Sequence, residues 1–187
     1  MKFAKDEKGN LHVHASSFFR PLQFRDYWQG FLDIVLAFLF RARTLNFHLP
    51  YESQFKSYYH PKAGWQYINF INFWSRIFGM KTVWENTNIL NPKDWSLIEN
   101  PSHIPKNLSL CFDLGHFILG SKSKTQALAK VDRFFKEHGR DIKHLHLHVN
   151  DLKRDKHYRS QRQVKAFLGQ NRFQKLTKNR TYIFEKG

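Results

Sequence analysis

Six short apolar stretches of this chain each run into a residue of a type that binds metals. They are Leu11 to His14, Thr44 to His48, Lys81 to Glu85, Leu108 to Asp113, Lys143 to His148, and Thr181 to Glu185. His14, His48, Glu85, Asp113, His148 and Glu185 are therefore the first candidate ligands. Loops add three more. His116 follows Asp113 across Leu114-Gly115, and Asp155-Lys156-His157 follows the His148 stretch after a short loop. Residues two apart on an extended segment face the same way, so Asp155 and His157 can grip one ion. Imidazole together with carboxylate suits Zn²⁺, Mn²⁺ or Fe²⁺. Such ions generate hydroxide near neutral pH and polarise phosphoryl or carbonyl oxygens. Cys111 is the only thiol, which excludes structural zinc of the multi-cysteine type.

The elements between these residues must bring them together. Each stretch reads as a buried strand rich in Leu, Ile, Val and Phe on both faces, the mark of parallel strands covered by helices. Helices are predicted over Phe24 to Arg41, Gly64 to Phe78, Pro92 to Ile98, Thr125 to His138 and Val164 to Leu176. Strands alternating with helices imply βαβ units. An open sheet uses chiefly its switch point for chemistry. Here a ligand type ends nearly every strand, so the expected fold is α/β, a (β/α) TIM-type barrel with its chemistry at the C-terminal rim. About six parallel strands are expected, in a single domain spanning 1–187.

Side chains alternate along a strand. His144, His146 and His148 therefore share the inner face, and Leu145, Leu147 and Val149 meet the helices. His148 stands at the mouth, and His146 is either a support behind the ligands or a buried residue; the favoured expectation for His144 and His146 is structural histidines satisfied by hydrogen bonds. The same reasoning, in which only the last inward residue stands at the mouth, selects His14 over His12 and puts Asn46 and Val83 inside, beneath His48 and Glu85.

At 187 residues the chain can bury a real core, but a full barrel typically needs about 250. Its net charge of +16 attracts polyanions. One cysteine permits no intrachain disulfide, which fits a reducing cytoplasm. Met1 to Asn10 has no apolar signal core. The most apolar run, Gly30 to Phe40, is too short to span a membrane and reads as a core helix.

The ordered motifs LHVHAS, LNFHLP, VWENTN, CFDLGH, HLHVND, RDKH and YIFE resemble the endonuclease IV branch of the xylose isomerase-like TIM barrels. The resemblance covers roughly residues 11 to 186. It implies a DNA-repair hydrolase that cleaves phosphodiesters at abasic sites, with up to three zinc ions. By resemblance, His14, His48 and Glu85 hold one ion. Glu85 bridges to a second with Asp113, His148 and Glu185, which makes these four the catalytic set. His116, Asp155 and His157 hold the third. Asn86 and Asn150-Asp151 also fit. DLGH and HVND are shared with sugar isomerases; the D-x-H motif is the more specific sign. Lys122, Lys124, Lys153, Arg154, Arg159 and Arg162 lie near the rim loops and are the candidate DNA-backbone contacts.

The chain departs from that pattern in several places. Its first ligand strand corresponds to about the third of the barrel, so two βα units and the closing helix are expected to be absent. Tyr158 to Arg162 replaces a glycine-rich segment. Phe18 and Phe19 are candidates for packing residues or for a probe of the duplex. About six strands leave two open edges, from which self-association or a partner chain is expected. Two competing readings follow. One is a sugar-phosphate isomerase or epimerase with one metal on Glu85, Asp113, His148 and Glu185. The other is an inactive shortened barrel.

Overall fold

The computed structural model describes residues 1–15, 23–49, 61–86, 108–154, 158 and 160–184. A seven-stranded sheet runs in sequence order from β1 to β7. β1 (Lys2–Lys5) pairs antiparallel with β2 (Leu11–His14). The remaining pairs are parallel: β2 with β3 (Thr44–His48), then β4 (Lys81–Glu85), β5 (Leu110–Asp113), β6 (Ile142–His146) and β7 (Thr181–Ile183). All six expected strands are present, within two residues of their expected bounds. The sheet curls so that β2 and β6 meet across its interior, where the His12 and His144 rings stack 4.1 Å apart. The β1–β2 turn reaches the opposite edge, where the Tyr182 N–H of β7 donates to the Glu7 carboxylate at 2.8 Å.

β1 was not expected. Its hairpin is built by Asp6, whose carboxylate accepts from the Lys8 and Asn10 N–H groups, and by Gly9 at a left-handed φ of 77°. β1 occupies the edge of β2 that the sequence reading left open.

Helices cover the outer face: α1 (Phe24–Leu39), α2 (Pro61–Ile77), α3 (Leu114–Ile118), α4 (Lys124–His138), α5 (Gln161–Leu168) and α6 (Gln170–Thr177). The expected Val164 to Leu176 helix is two helices, because Gly169 at φ 78° breaks the chain between them. Pro92 to Ile98 lies outside the described residues. α4 starts where the Ser123 hydroxyl accepts the Gln126 N–H. Val13, Leu45, Phe47, Trp84, Phe112 and Leu145 point outward from the strands into one core with Ile34, Ile71, Val131 and Phe134. Trp84 satisfies its indole N–H on Asn72 at 3.0 Å. These outward apolar residues alternate with His12, His14, Asn46, Glu85, Cys111, Asp113, His144 and His146 on the inside. Barrel interiors are ordinarily packed with Val, Ile and Leu. This one is polar.

No described helix is long and apolar enough to cross a membrane.

Candidate metal centre

Glu85 ends β4 with its carboxylate wholly buried. One oxygen, Oε2, lies 3.0 Å from His14 Nε2 and 3.1 Å from His146 Nδ1, and also accepts the Asn46 side-chain amide. The other, Oε1, lies 3.7 Å from His116 Nδ1. His48 Nε2 faces His14 Nε2 at 3.1 Å. Asp113 ends β5, and its two oxygens lie 3.0 and 3.1 Å from His148 Nε2. Among the described residues, ligand atoms gather within 4.8 Å of one another in three groups: His14 with Glu85 and His146, Asp113 with His116 and His148, and Cys111 with His144 and His146.

Local structure sets this geometry. Asp113 is also the N-cap of α3, and its Oδ1 accepts the His116 N–H at 2.7 Å, which turns His116 back over the carboxylate. Asn86 clamps the Asp113 backbone from both sides, donating to its carbonyl at 3.0 Å and accepting its N–H at 2.7 Å. The Asn150 amide donates to the Gly115 carbonyl at 2.7 Å. A Cβ at Gly115 would fall on the His148 ring. Gly115 sits inside α3 with ordinary helical geometry, so its use is space for His148 rather than freedom to turn.

Charge is balanced inside the cluster. Burial alone would raise Glu85, but the His146, His48 and His14 imidazoles hold it well below the usual carboxylate range. Burial opposes Asp113 in the same way, and His116 and His148 override it. Burial would depress His14, yet the Glu85 carboxylate holds it above the usual imidazole value. His146 is likewise held well above that value against burial, by Cys111 and Glu85. Burial pushes His48 down to about 4. Two buried carboxylates whose neighbours are imidazoles form a donor set that fits a divalent cation once the imidazoles are neutral.

A pH dependence follows. In metal-free protein, His14 and His146 have folded values above the unfolded one of about 6.5. Their pairing with Glu85 is therefore fully stabilising below about pH 6.5 and is lost as pH rises through the folded values. Metal binding displaces those protons, so metal stabilisation runs the other way. The rise in melting temperature on adding zinc is expected to grow from about pH 6 to about pH 8, with proton release seen by calorimetry in two buffers. A zinc effect that does not vary with pH would count against these histidines as ligands.

The structure brings together six residues singled out from sequence: His14, His48, Glu85, Asp113, His116 and His148. Asp155, His157 and Glu185 lie outside the described residues, as do Arg159, Phe18 and Phe19. Lys122, Lys153, Arg154 and Arg162 are at the surface. Lys124 is engaged: its ammonium donates to the Ala166 carbonyl at 3.0 Å and sits over the Phe167 ring. His12 pairs with Asp6 at 3.3 Å, away from Glu85. The sequence reading allowed His146 a place behind the ligands but did not give the direct approach of His146 and Asn46 to Glu85. It placed both on the inner face, but alternation fixes the face and not the height.

No protein-family model matches the chain, and no curated protein matches it. Solved structures do match, at a level that shows the fold. A D-tagatose 3-epimerase-like protein is 22% identical with TM-score 0.58, over 81% of this chain and 60% of its own. The TTHB071 protein from Thermus thermophilus, in a structure soaked with ZnCl2, is 19% identical with TM-score 0.58, over 94% and 71%. Endonuclease IV from the same organism is 16% identical with TM-score 0.61, over 94% and 68%. The chain thus spans three fifths of the length of the epimerase-like protein. These likenesses show the fold, a TIM-type (β/α) barrel.

Proposed function

We propose that the protein is a metal-dependent phosphodiesterase that cleaves DNA at abasic sites. The observation that carries this reading is the two-sided Glu85 carboxylate. Its Oε2 faces His14 and His146, while its Oε1 faces His116 on the Asp113 side. A carboxylate between two ligand groups suits the bridging of two cations, as phosphodiester hydrolysis uses them and single-metal isomerisation does not. Divalent ions held there would supply hydroxide near neutral pH and neutralise charge growing on the phosphate.

The ligand roles follow the motif resemblance. His14, His48 and Glu85 form one set, Glu85, Asp113, His148 and Glu185 a second, and His116, Asp155 and His157 a third. Asn86 and Asn150 position Asp113 and Gly115 for these roles. Lys122, Lys153, Arg154 and Arg162 lie at the surface, where they can meet the phosphate backbone, so binding is expected to weaken steeply with salt. An abasic nucleotide lacks a stacked base, so drawing it into the mouth costs less than flipping a normal one. The likeness to an endonuclease IV agrees with this reading at the level of fold.

A sugar-phosphate isomerase or epimerase is the second reading. The tight Asp113–His148 pair favours it, since one ion could be held there with Glu85 and Glu185. One preparation decides. Bound metal is counted by mass spectrometry, and nicking of a duplex with one abasic site is assayed with and without chelator. Several ions per chain with chelator-sensitive nicking are expected. A single ion without nicking would move the assignment to the isomerase, and neither metal nor nicking would leave an inactive barrel.

A further inference from the structure

We propose a second metal site in the barrel interior, distinct from the mouth, in which Cys111, His144 and His146 bind a zinc-like ion. The three ligand atoms lie within 4.8 Å of one another, and all three side chains are buried. Cys111 and His144 face each other in register on neighbouring strands β5 and β6. Thiolate and imidazole are both ligands that zinc accepts.

An independent observation points to a ligand. His144 is 1% exposed, and its Nδ1 is fixed by the Thr181 hydroxyl at 2.7 Å. Its Nε2 is buried and has no hydrogen-bond partner among the described residues. A buried polar atom left in this state costs free energy, which ligation would remove. Orientation of a ligating ring through its other nitrogen is the usual support for a metal-binding histidine. Thr181 supplies that support here.

His146 stands in both this group and the Glu85 group. Its Nδ1 lies 3.1 Å from Glu85, so a neutral ring can donate to that carboxylate through Nδ1–H and ligate through its other nitrogen. A cavity of about 1240 Å³ opens at the N-terminal ends of the strands and reaches His144 and Thr181. Lys8, Arg41, Arg43 and Lys143 line it, and their field slows entry of a bare cation. Binding releases to solvent the Cys111 proton, as the thiolate–metal bond forms, and the extra proton of a charged His146 ring.

Co²⁺ is the probe, titrated into metal-free protein and followed to equilibrium. The expected result is a thiolate-to-cobalt charge-transfer band in the near ultraviolet. Cys111→Ser should lose the band, bind one ion fewer and keep its circular dichroism. Glu85→Gln should lose ions at the mouth but keep the band. The wild-type spectrum decides even if a variant fails to fold: cobalt bound without any thiolate band overturns the site. An unchanged ion count in well-folded Cys111→Ser overturns it as well. The spectrum is independent of nicking, so failure of the phosphodiesterase reading would leave this result standing.

Discussion

Glu85→Gln is expected to abolish measurable nicking, to strip ions from the mouth and to lower the melting temperature of the metal-free protein. Each loss has its own cause. The carboxylate faces His14 and His146 on one side and His116 on the other, so its charge is shared by three imidazoles. Removing it leaves His14 buried without its main counter-charge and strips His146 of one of the two groups that hold its proton. Breaking a buried pair from one side costs about 3–5 kcal/mol. A chain of this size loses roughly 2–4 °C per kcal/mol, so a drop of roughly 10 °C is expected. Loss of the stabilisation that metals give a phosphoryl transition state amounts to several kcal/mol, hence at least about 10³-fold in rate. Melting with and without zinc separates the two effects: the metal-free drop should be present, and the zinc-induced gain should shrink. A Glu85→Gln protein that nicks at near the wild-type rate would sink the bridging role.

The strand ends were legible because ligands and apolar residues alternate in the sequence. Parity places His12 and His14 on one inner face, and being last on the strand separates His14, which reaches Glu85, from His12, which pairs with Asp6. It also places His48, Asp113 and His148 toward one cavity. What parity cannot give is height. His146 sits two residues before His148, yet its Nδ1 comes within 3.1 Å of Glu85, because parallel neighbours are staggered around a curved sheet. The stagger is a property of the whole sheet and is not written in any one strand. Cys111 was passed over for a related reason. A lone thiol has no partner in sequence, and its neighbours in space come from a strand more than thirty residues away. β1 was missed because Lys2 to Lys5 is half charged and reads as a tail. Its turn signal, Asp6 to Asn10 with Gly9, was present but had no apolar strand before it. The break at Gly169 was likewise visible as a glycine, but helix propensity on both sides outweighed it.

Gly115→Ala separates helix propensity from site geometry, because the two predict opposite outcomes. Gly115 lies within α3, and by propensity alone alanine in a helix interior gains about 1 kcal/mol over glycine. The added methyl, however, would fall on the His148 ring, which is fully buried and held against both oxygens of Asp113. Crowding a packed interior costs about 1–3 kcal/mol. The two terms nearly offset, so the metal-free melting temperature should move little or fall slightly. Metal affinity and rate should fall far more. A ligand pushed off its mark weakens metal binding by roughly 10–100-fold, and a misplacement of about 1 Å in a reacting site can cost about 10²-fold in rate. Isothermal titration with zinc and the nicking assay measure these two losses directly. His148→Ala in the same background tests the cause: once the ring is gone, Gly115→Ala should do no further harm to metal binding. If the two substitutions instead weaken binding independently, the close approach of Gly115 to His148 is not what the glycine is for.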